Sequence, residues 1–257
     1  MSTVKNNHFV SKYLVRPWEH SSGKLKLFNY RSSEYEDGET EKLFAKNGIF
    51  SQDQETFFNK YVETISRQEL SSLTANGYKA KKWKNYRALL LLMWDLIGRY
   101  IAATSGDSAA VHFFTGFDEK GLDQMALAIE QQYTLMFATV PASGRLFFPS
   151  NVILFAFDPS TAVCNFGVPF NGHQILFNIK KGSNIEYLHK LCENHTFCNL
   201  SAGNYTTDFV LVHPDVPLDE KLKSTLIELR ENNQALANQI SELRGKLAEA
   251  FNKFGLT

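Results

Sequence analysis

His8 and Arg16 are the first residues in this chain whose types could act together on a substrate. An imidazole trades a proton near neutral pH, and a guanidinium grips an anion such as phosphate through two parallel N–H groups. Together they suggest a polar site with His8 as general acid or base and Arg16 as anion holder. The blander alternative is that His8 caps a strand and Arg16 pairs with a buried carboxylate. A second group is Lys79, Lys81, Lys82, Trp83, Lys84 and Arg87, a basic stretch interleaved with the aromatics Tyr78, Trp83 and Tyr86. Such a segment can neutralise phosphates while its rings stack on bases. Its plain alternative is a solvated loop and first helical turn, with Trp83 and Tyr86 anchored in the core. A third group, His189, Cys192, His195 and Cys198, has zinc-competent ligand types. Steps of three residues drift by ~60° each on a helix of 3.6 residues per turn, so one straight helix cannot close a tetrahedron around them. A break near Asn194 could rescue two or three ligands, but no metal is expected there.

Composition narrows the classes further. Lys+Arg and Asp+Glu both total 27, so the net charge is zero and no global field draws the chain to nucleic acid or an anionic membrane. Any nucleic-acid function must come from a local patch. Three cysteines cannot all pair, which suits a reducing compartment. The polar N-terminus lacks the apolar core of a secretory signal, so a cytoplasmic location is expected. The apolar run 88–104 carries Asp95 and Arg99, four residues apart, as a helical ion pair would be. Central charges are costly in a bilayer, so a buried core helix is expected rather than a membrane partner. No Walker loop, Gly-x-Gly-x-x-Gly, Gly-x-Ser-x-Gly or His-Glu-x-x-His occurs, and no cofactor is expected.

The elements that must position these residues follow from periodicity. Residues 7–30 read as extended structure interrupted by Pro17 and a loop at 20–23, with clean alternation from Lys24 to Tyr30. Residues 31–40 read as a polar loop. Phe57, Phe58, Tyr61, Val62 and Ile65 predict a helix from Gln52 to about Leu73, with Ser51 as N-cap. Helices are predicted over 88–103, 121–137 and 184–193, and strands over 145–157, 174–179 and 207–213. Strands, then helices, then strands predict an α+β fold with a mixed or antiparallel sheet packed on core helices. The domain spans 1–214, and residues 215–257 form a C-terminal heptad helix.

That helix carries the strongest pattern. Leu222, Leu229, Leu236 and Leu243 occupy d positions; Leu226, Asn233, Ile240 and Leu247 occupy a positions. Leu at d with one Asn at a predicts a parallel two-stranded coiled coil in fixed register, hence a homodimer. Against it, the e and g positions lack acids, and the alternative is an amphipathic helix packed on its own domain.

The run Asn7-His8-Phe9-Val10-Ser11-Lys12-Tyr13-Leu14-Val15-Arg16-Pro17-Trp18, followed by a glycine and a strand, resembles the opening of a microbial family of unknown function. Members begin with a motif like His-His-Tyr-Val-Pro-Gln-Phe-Tyr-Leu-Arg-Asn-Phe. Arg145 to Val152 resembles the family's later Phe-x-x-Ser-Asp-Asn-Pro segment, which makes Asn151 a third candidate catalytic residue beside His8 and Arg16. The family's Pro after Val is Ser11 here, its Asp is missing before Asn151, and its Pro is Val152. The resemblance covers residues 6–213 and implies no activity. Two functions are carried forward: a dimeric interaction or regulatory protein, and a nuclease-like toxin or defence effector using His8, Arg16 and the basic stretch 79–87.

Overall fold

A computed structural model describes residues 7–46, 51–76, 83–105, 118–158, 163–203 and 207–233. From the N-terminus run β1 (Asn7–His8), α1 (Lys12–Val15), a 3-10 turn (Arg16–Trp18), β2 (Glu19–Ser21), β3 (Lys24–Asn29) and β4 (Glu34–Glu39). Next come α2 (Thr40–Leu43), β5 (Ala45–Lys46), α3 (Gln52–Phe58), a π-helical turn (Asn59–Glu63), α4 (Thr64–Asn76) and α5 (Trp83–Ser105). The second half holds α6 (Glu119–Gln132), β6 (Tyr133–Thr139), β7 (Phe148–Pro149), β8 (Leu154–Asp158), β9 (Val163–Asn171) and β10 (Gln174–Lys180). It ends with α7 (Ile185–Glu193), α8 (Thr196–Ala202), β11 (Phe209–Leu211) and α9 (Glu220–Asn232). The fold is α+β, and the strand pairings are antiparallel.

Two sheets enclose the centre. One has the order β6-β10-β9-β8; the other has β2-β3-β11-β7 with β4 also on β3. Helix α5 is buried on every side from Ala88 to Arg99, as a helix apolar all round must be. Its Trp94 meets Tyr133 of β6 and Phe166 of β9 edge-on, at ring separations of 5.3 and 5.4 Å. Gly167 is needed opposite β10, because a Cβ there would lie 2.6 Å from the Phe177 ring. No helix among the described residues is long and apolar enough to cross a membrane.

Several expected elements are realised. Ser51 caps α3 through a reciprocal capping box with Gln54. The predicted helix over 52–73 is present as α3, the π turn and α4. Others are corrected. Tyr13-Leu14-Val15 form a helical turn, not a strand, because Leu14, Val15 and Trp18 must point to one buried side. Residues 34–39 are an edge strand rather than loop; its acids pair with Lys24 and Lys26 across β3, and such a charged edge shows no hydrophobic alternation. The helix expected to run to Phe137 stops at Gln132, and Tyr133 to Thr139 become β6 against β10. The strand expected over 145–157 is split by a turn in which Val152 takes a left-handed φ of 67°.

The C-terminal ladder is used within the chain as far as it is described. Leu226 is fully buried against Phe28, Val210 and Val212, and Leu222 and Leu229 pack on the same cluster. The Asn233 amide donates to the Gly203 carbonyl at 3.2 Å, so its partner is the end of α8 rather than a second Asn233. Leu222, Leu226, Leu229 and Asn233 therefore do not present a free seam. Leu236, Ile240, Leu243 and Leu247 lie outside the described residues.

Candidate functional site

The segment carrying His8 and Arg16 is anchored by its apolar residues, which leaves its polar ones outward. Phe9 N–H donates to the Phe44 carbonyl at 3.0 Å, and His8 pairs with Ala45 between β1 and β5. Trp18 packs against Phe148 with ring centres 5.0 Å apart and planes tilted by 60°, and donates its indole N–H to the Leu146 carbonyl. With Leu14, Val15 and Trp18 inward, Lys12 and Arg16 fall four residues apart on the outer face of α1 and its following turn.

Opposite them stands the long helical stretch from α3 to α4. Its π turn is in the part that faces the site: the Thr64 N–H reaches back five residues to the Asn59 carbonyl, and the Thr64 hydroxyl donates to Asn59 Oδ1 at 3.0 Å. Such π insertions are found at functional sites more often than elsewhere in helices. Between the two walls lies a cleft of about 550 Å³. His8, Ser11, Lys12, Tyr13 and Arg16 line one side; Glu55, Asn59, Glu63, Thr64, Arg67 and Gln68 line the other, with Arg99 below.

Arg99 organises the floor. Its Nε meets Asp95 Oδ2 at 2.8 Å, its Nη2 meets Glu63 Oε1 at 3.0 Å, and its Nη1 donates to the His8 carbonyl at 3.1 Å. The guanidinium also lies 4.5 Å over the Phe58 ring. Burial works against charge at Arg99, but Asp95 and Glu63 outweigh it and hold the group ionised. Burial pushes the Asp95 carboxyl up to about 6, opposed by the adjacent guanidinium. The predicted Asp95–Arg99 pair is thus present, and it extends to a third member, Glu63, and to the backbone of His8.

The proton chemistry of His8 follows from its contacts. Nε2 lies 3.1 Å from the Glu41 carbonyl, which can only accept, so Nε2 carries the hydrogen and Nδ1 is the basic nitrogen of the neutral ring. Burial, and then the nearby Lys12 ammonium, lower its pKa below the ordinary imidazole value. Lys12 itself is ion-paired with Glu41. Arg16 and Arg67 are exposed and form no side-chain ion pair among the described residues. Two hydroxyls in the cleft wall, Ser11 Oγ and Tyr13 OH, are buried with no hydrogen-bond partner among the described residues. Burial, reinforced by Glu63 and Asp95, drives the Tyr13 phenol well above its ordinary pKa, so it stays a donor. The cleft therefore offers one neutral base and two guanidinium groups without an ion-pair partner among the described residues.

The other candidates do not converge here. Asn151 is 2% exposed in the turn between β7 and β8, where its carbonyl accepts from Ile153 N–H at 2.8 Å. The neighbouring Ser150 ties that turn to Thr207 at 2.6 Å. Asn151 does not line the cleft; it is buried in the turn between β7 and β8. Arg87 is also 2% exposed, with Nη1 donating to Asp123 at 2.7 Å and Nη2 3.5 Å from Glu119. Trp83 donates to the same Asp123 carboxylate at 3.1 Å, and Lys84 is 3.9 Å from Glu119. Acids of α6 thus neutralise the described part of the basic stretch. Arg87 lies twelve residues from Arg99 along α5, ~18 Å at 1.5 Å per residue, so Trp83, Lys84 and Arg87 face a different region from the cleft. Lys79, Lys81 and Lys82 lie outside the described residues.

In the His189 to Cys198 group the helix breaks at His195, which takes a left-handed φ of 58° and starts α8. Burial pushes the Cys192 thiol up to about 12 and Cys198 up to about 11, and no group of three or more potential metal ligands comes together among the described residues.

Sequence reasoning missed Tyr13, Glu63 and Arg67. Arg67 and Glu63 sit four residues apart on the polar side of a helix whose apolar face was evident, a spacing that reads equally as solvated surface. Comparison with protein-family models, curated proteins and solved structures finds no match for the chain, so the cleft is read from its own geometry.

Proposed function

We propose that the cleft between α1 and the α3–α4 stretch binds a phosphate-type anion and that the protein acts on a phosphodiester as a nuclease-like effector. The observation that carries this reading is the meeting of His8 and Arg16 in one cleft of about 550 Å³ with Arg67 on the opposite wall. Two guanidinium groups without ion-pair partners among the described residues suit the non-bridging oxygens of a phosphate. The Ser11 and Tyr13 hydroxyls lie buried in the wall beside them, with no hydrogen-bond partner among the described residues. His8, neutral at pH 7 because burial lowers its pKa, takes a proton at Nδ1 from the attacking hydroxyl as its oxygen bonds to phosphorus, while the P–O bond to the leaving oxygen breaks and that oxygen takes a proton from solvent. Glu55 and Glu63 add negative charge to the far wall and disfavour a heavily charged duplex backbone, so a single strand or a small phosphodiester is the better substrate. The basic stretch 79–87 is not part of this site; within it Arg87 is committed to Asp123 and Glu119.

The experiment is incubation of the full chain with single-stranded RNA and DNA, across pH 5–9 and with and without divalent metals. Cleavage that falls at least about a hundredfold in His8→Ala, and is weakened through KM in Arg16→Gln, supports the reading; loss of a general base costs on this order. Unchanged substrate under every condition overturns it.

Self-association is a separate proposal. It rests on Leu236, Ile240, Leu243 and Leu247, because Leu226 and Asn233 are engaged inside the chain. That engagement is why the dimeric regulatory reading ranks second.

A further inference from the structure

A second cavity, of about 640 Å³, lies between α8, α9 and the 142–147 loop. Its walls differ in chemistry. Leu222 and Leu229, two turns apart along α9, present an apolar strip ~10 Å long at 1.5 Å per residue, with Leu226 buried between them. Phe147 contributes to the same lining. Arg145, His195 and Ser143 supply polar groups.

Arg145 is held but not saturated. Its Nη1 donates to the carbonyls of Ala142 at 2.7 Å and Gly144 at 2.9 Å, which fixes the plane of the guanidinium. Its Nη2 lies 3.8 Å from Asp215, a distance too long for a hydrogen bond. Its Nε is buried with no acceptor among the described residues. His195 holds a left-handed backbone, with φ of 58°, that non-glycine residues rarely adopt. Its ring lies close over Gly144, where an added Cβ would come within 2.6 Å of Nδ1, and its Nε2 is 3.4 Å from Ser143 Oγ. A rigid cation and an imidazole in one cavity with an apolar strip define a ligand with two ends.

We propose that this cavity binds a small amphipathic monoanion, a carboxylate on an apolar body. Arg145 and His195 take the carboxylate, and the body lies along Leu222 and Leu229. Asp215, whose carboxylate also lines the cavity, makes a single negative charge preferable to two. The site is distinct from the His8 cleft and stands whether or not that cleft binds phosphate.

The test is calorimetric titration of the full chain with octanoate, alongside acetate (charge without body) and octanol (body without charge). The expected result is one saturable octanoate site, with acetate and octanol each weaker by about tenfold or more. Arg145→Gln weakens octanoate by about tenfold, and Thr225→Trp, an exposed position on the rim, blocks it while leaving the circular dichroism unchanged. Absence of octanoate binding, octanol binding as well as octanoate, or binding indifferent to a folded Arg145→Gln or Thr225→Trp chain would each overturn the proposal.

Discussion

Replacing Arg99 with methionine removes the one group that joins α5, the π turn and β1 at the floor of the cleft. The side chain is 2% exposed, as is Asp95, and Glu63 is 19% exposed. Methionine fills similar volume but leaves one fully buried and one mostly buried carboxylate without their counter-charge. Removing one partner of a buried pair costs ~3–5 kcal/mol, chiefly from the abandoned charge. The His8 carbonyl loses a charge-assisted bond of ~1.5–3 kcal/mol in the same step, and the two losses overlap rather than add. Against a whole-domain stability of ~5–15 kcal/mol, Arg99→Met should consume about a third or more. Urea unfolding of the two chains at pH 7 measures this, as a lower midpoint at unchanged slope. Thermal unfolding should fall by about 10 °C, since ~1 kcal/mol moves a domain of this size by ~2–4 °C. Arg99→Lys keeps the charge but cannot reach three partners with one planar fork, so it should fall between. A methionine variant within about 1 kcal/mol of the parent would refute the claim that Arg99 organises the floor.

Asp95 gives the pH counterpart. Its carboxyl sits near 6 in the fold against an ordinary value of 3.8, so the folded state binds the proton more tightly. Its stabilising share is complete below pH ~4 and is lost as pH rises through ~6; Asp95→Asn should therefore cost more at pH 4.5 than at pH 7.5 in paired denaturant titrations. His8 is shifted the other way, so the acid limb of any His8-dependent rate should have its midpoint below 6.5, read from a kcat/KM profile. Gly203→Ala places a Cβ 2.6 Å from the Leu229 backbone and 2.8 Å from Asn233 Nδ2, which should destabilise by ~1–3 kcal/mol through displacement of α9; a neutral effect would contradict the docking of α9 on the domain. Substituting Leu236 and Leu243 by Asp should leave unfolding of the domain unchanged in midpoint while removing any dimer seen by light scattering.

The parts of the fold that sequence revealed are those decided locally. Spacing among Phe57, Phe58, Tyr61 and Val62 announces a helix, and a Ser51–Gln54 capping box fixes its start. A charged pair four apart inside an apolar run announced Asp95–Arg99 before any partner was visible. What stayed hidden was set by tertiary partners. Tyr133 to Phe137 continue a helical pattern, and only pairing with β10 turns them into a strand. The heptad ladder tells that Leu226 needs a hole, but not whether the hole is on another chain or, as here, between Phe28 and Val210. Likewise the lone Asn233 needs an acceptor, and Gly203 provides it within the chain. In the cleft, His8 and Arg16 could be paired because one short segment carries both. Arg67, Glu63 and Arg99 arrive from 47 to 91 residues further along, a convergence that no local spacing encodes.

The cleft's claim on a phosphodiester is tested most directly by imidazole carbon–proton spectra of the seven histidines during titration with a dinucleotide. The account predicts that the His8 resonances move and saturate, that those of His173, His195 and His213 stay in place, and that Arg16→Gln combined with Arg67→Gln abolishes the response. A dinucleotide that leaves His8 unmoved at millimolar concentration, or moves it equally in the double variant, would contradict it.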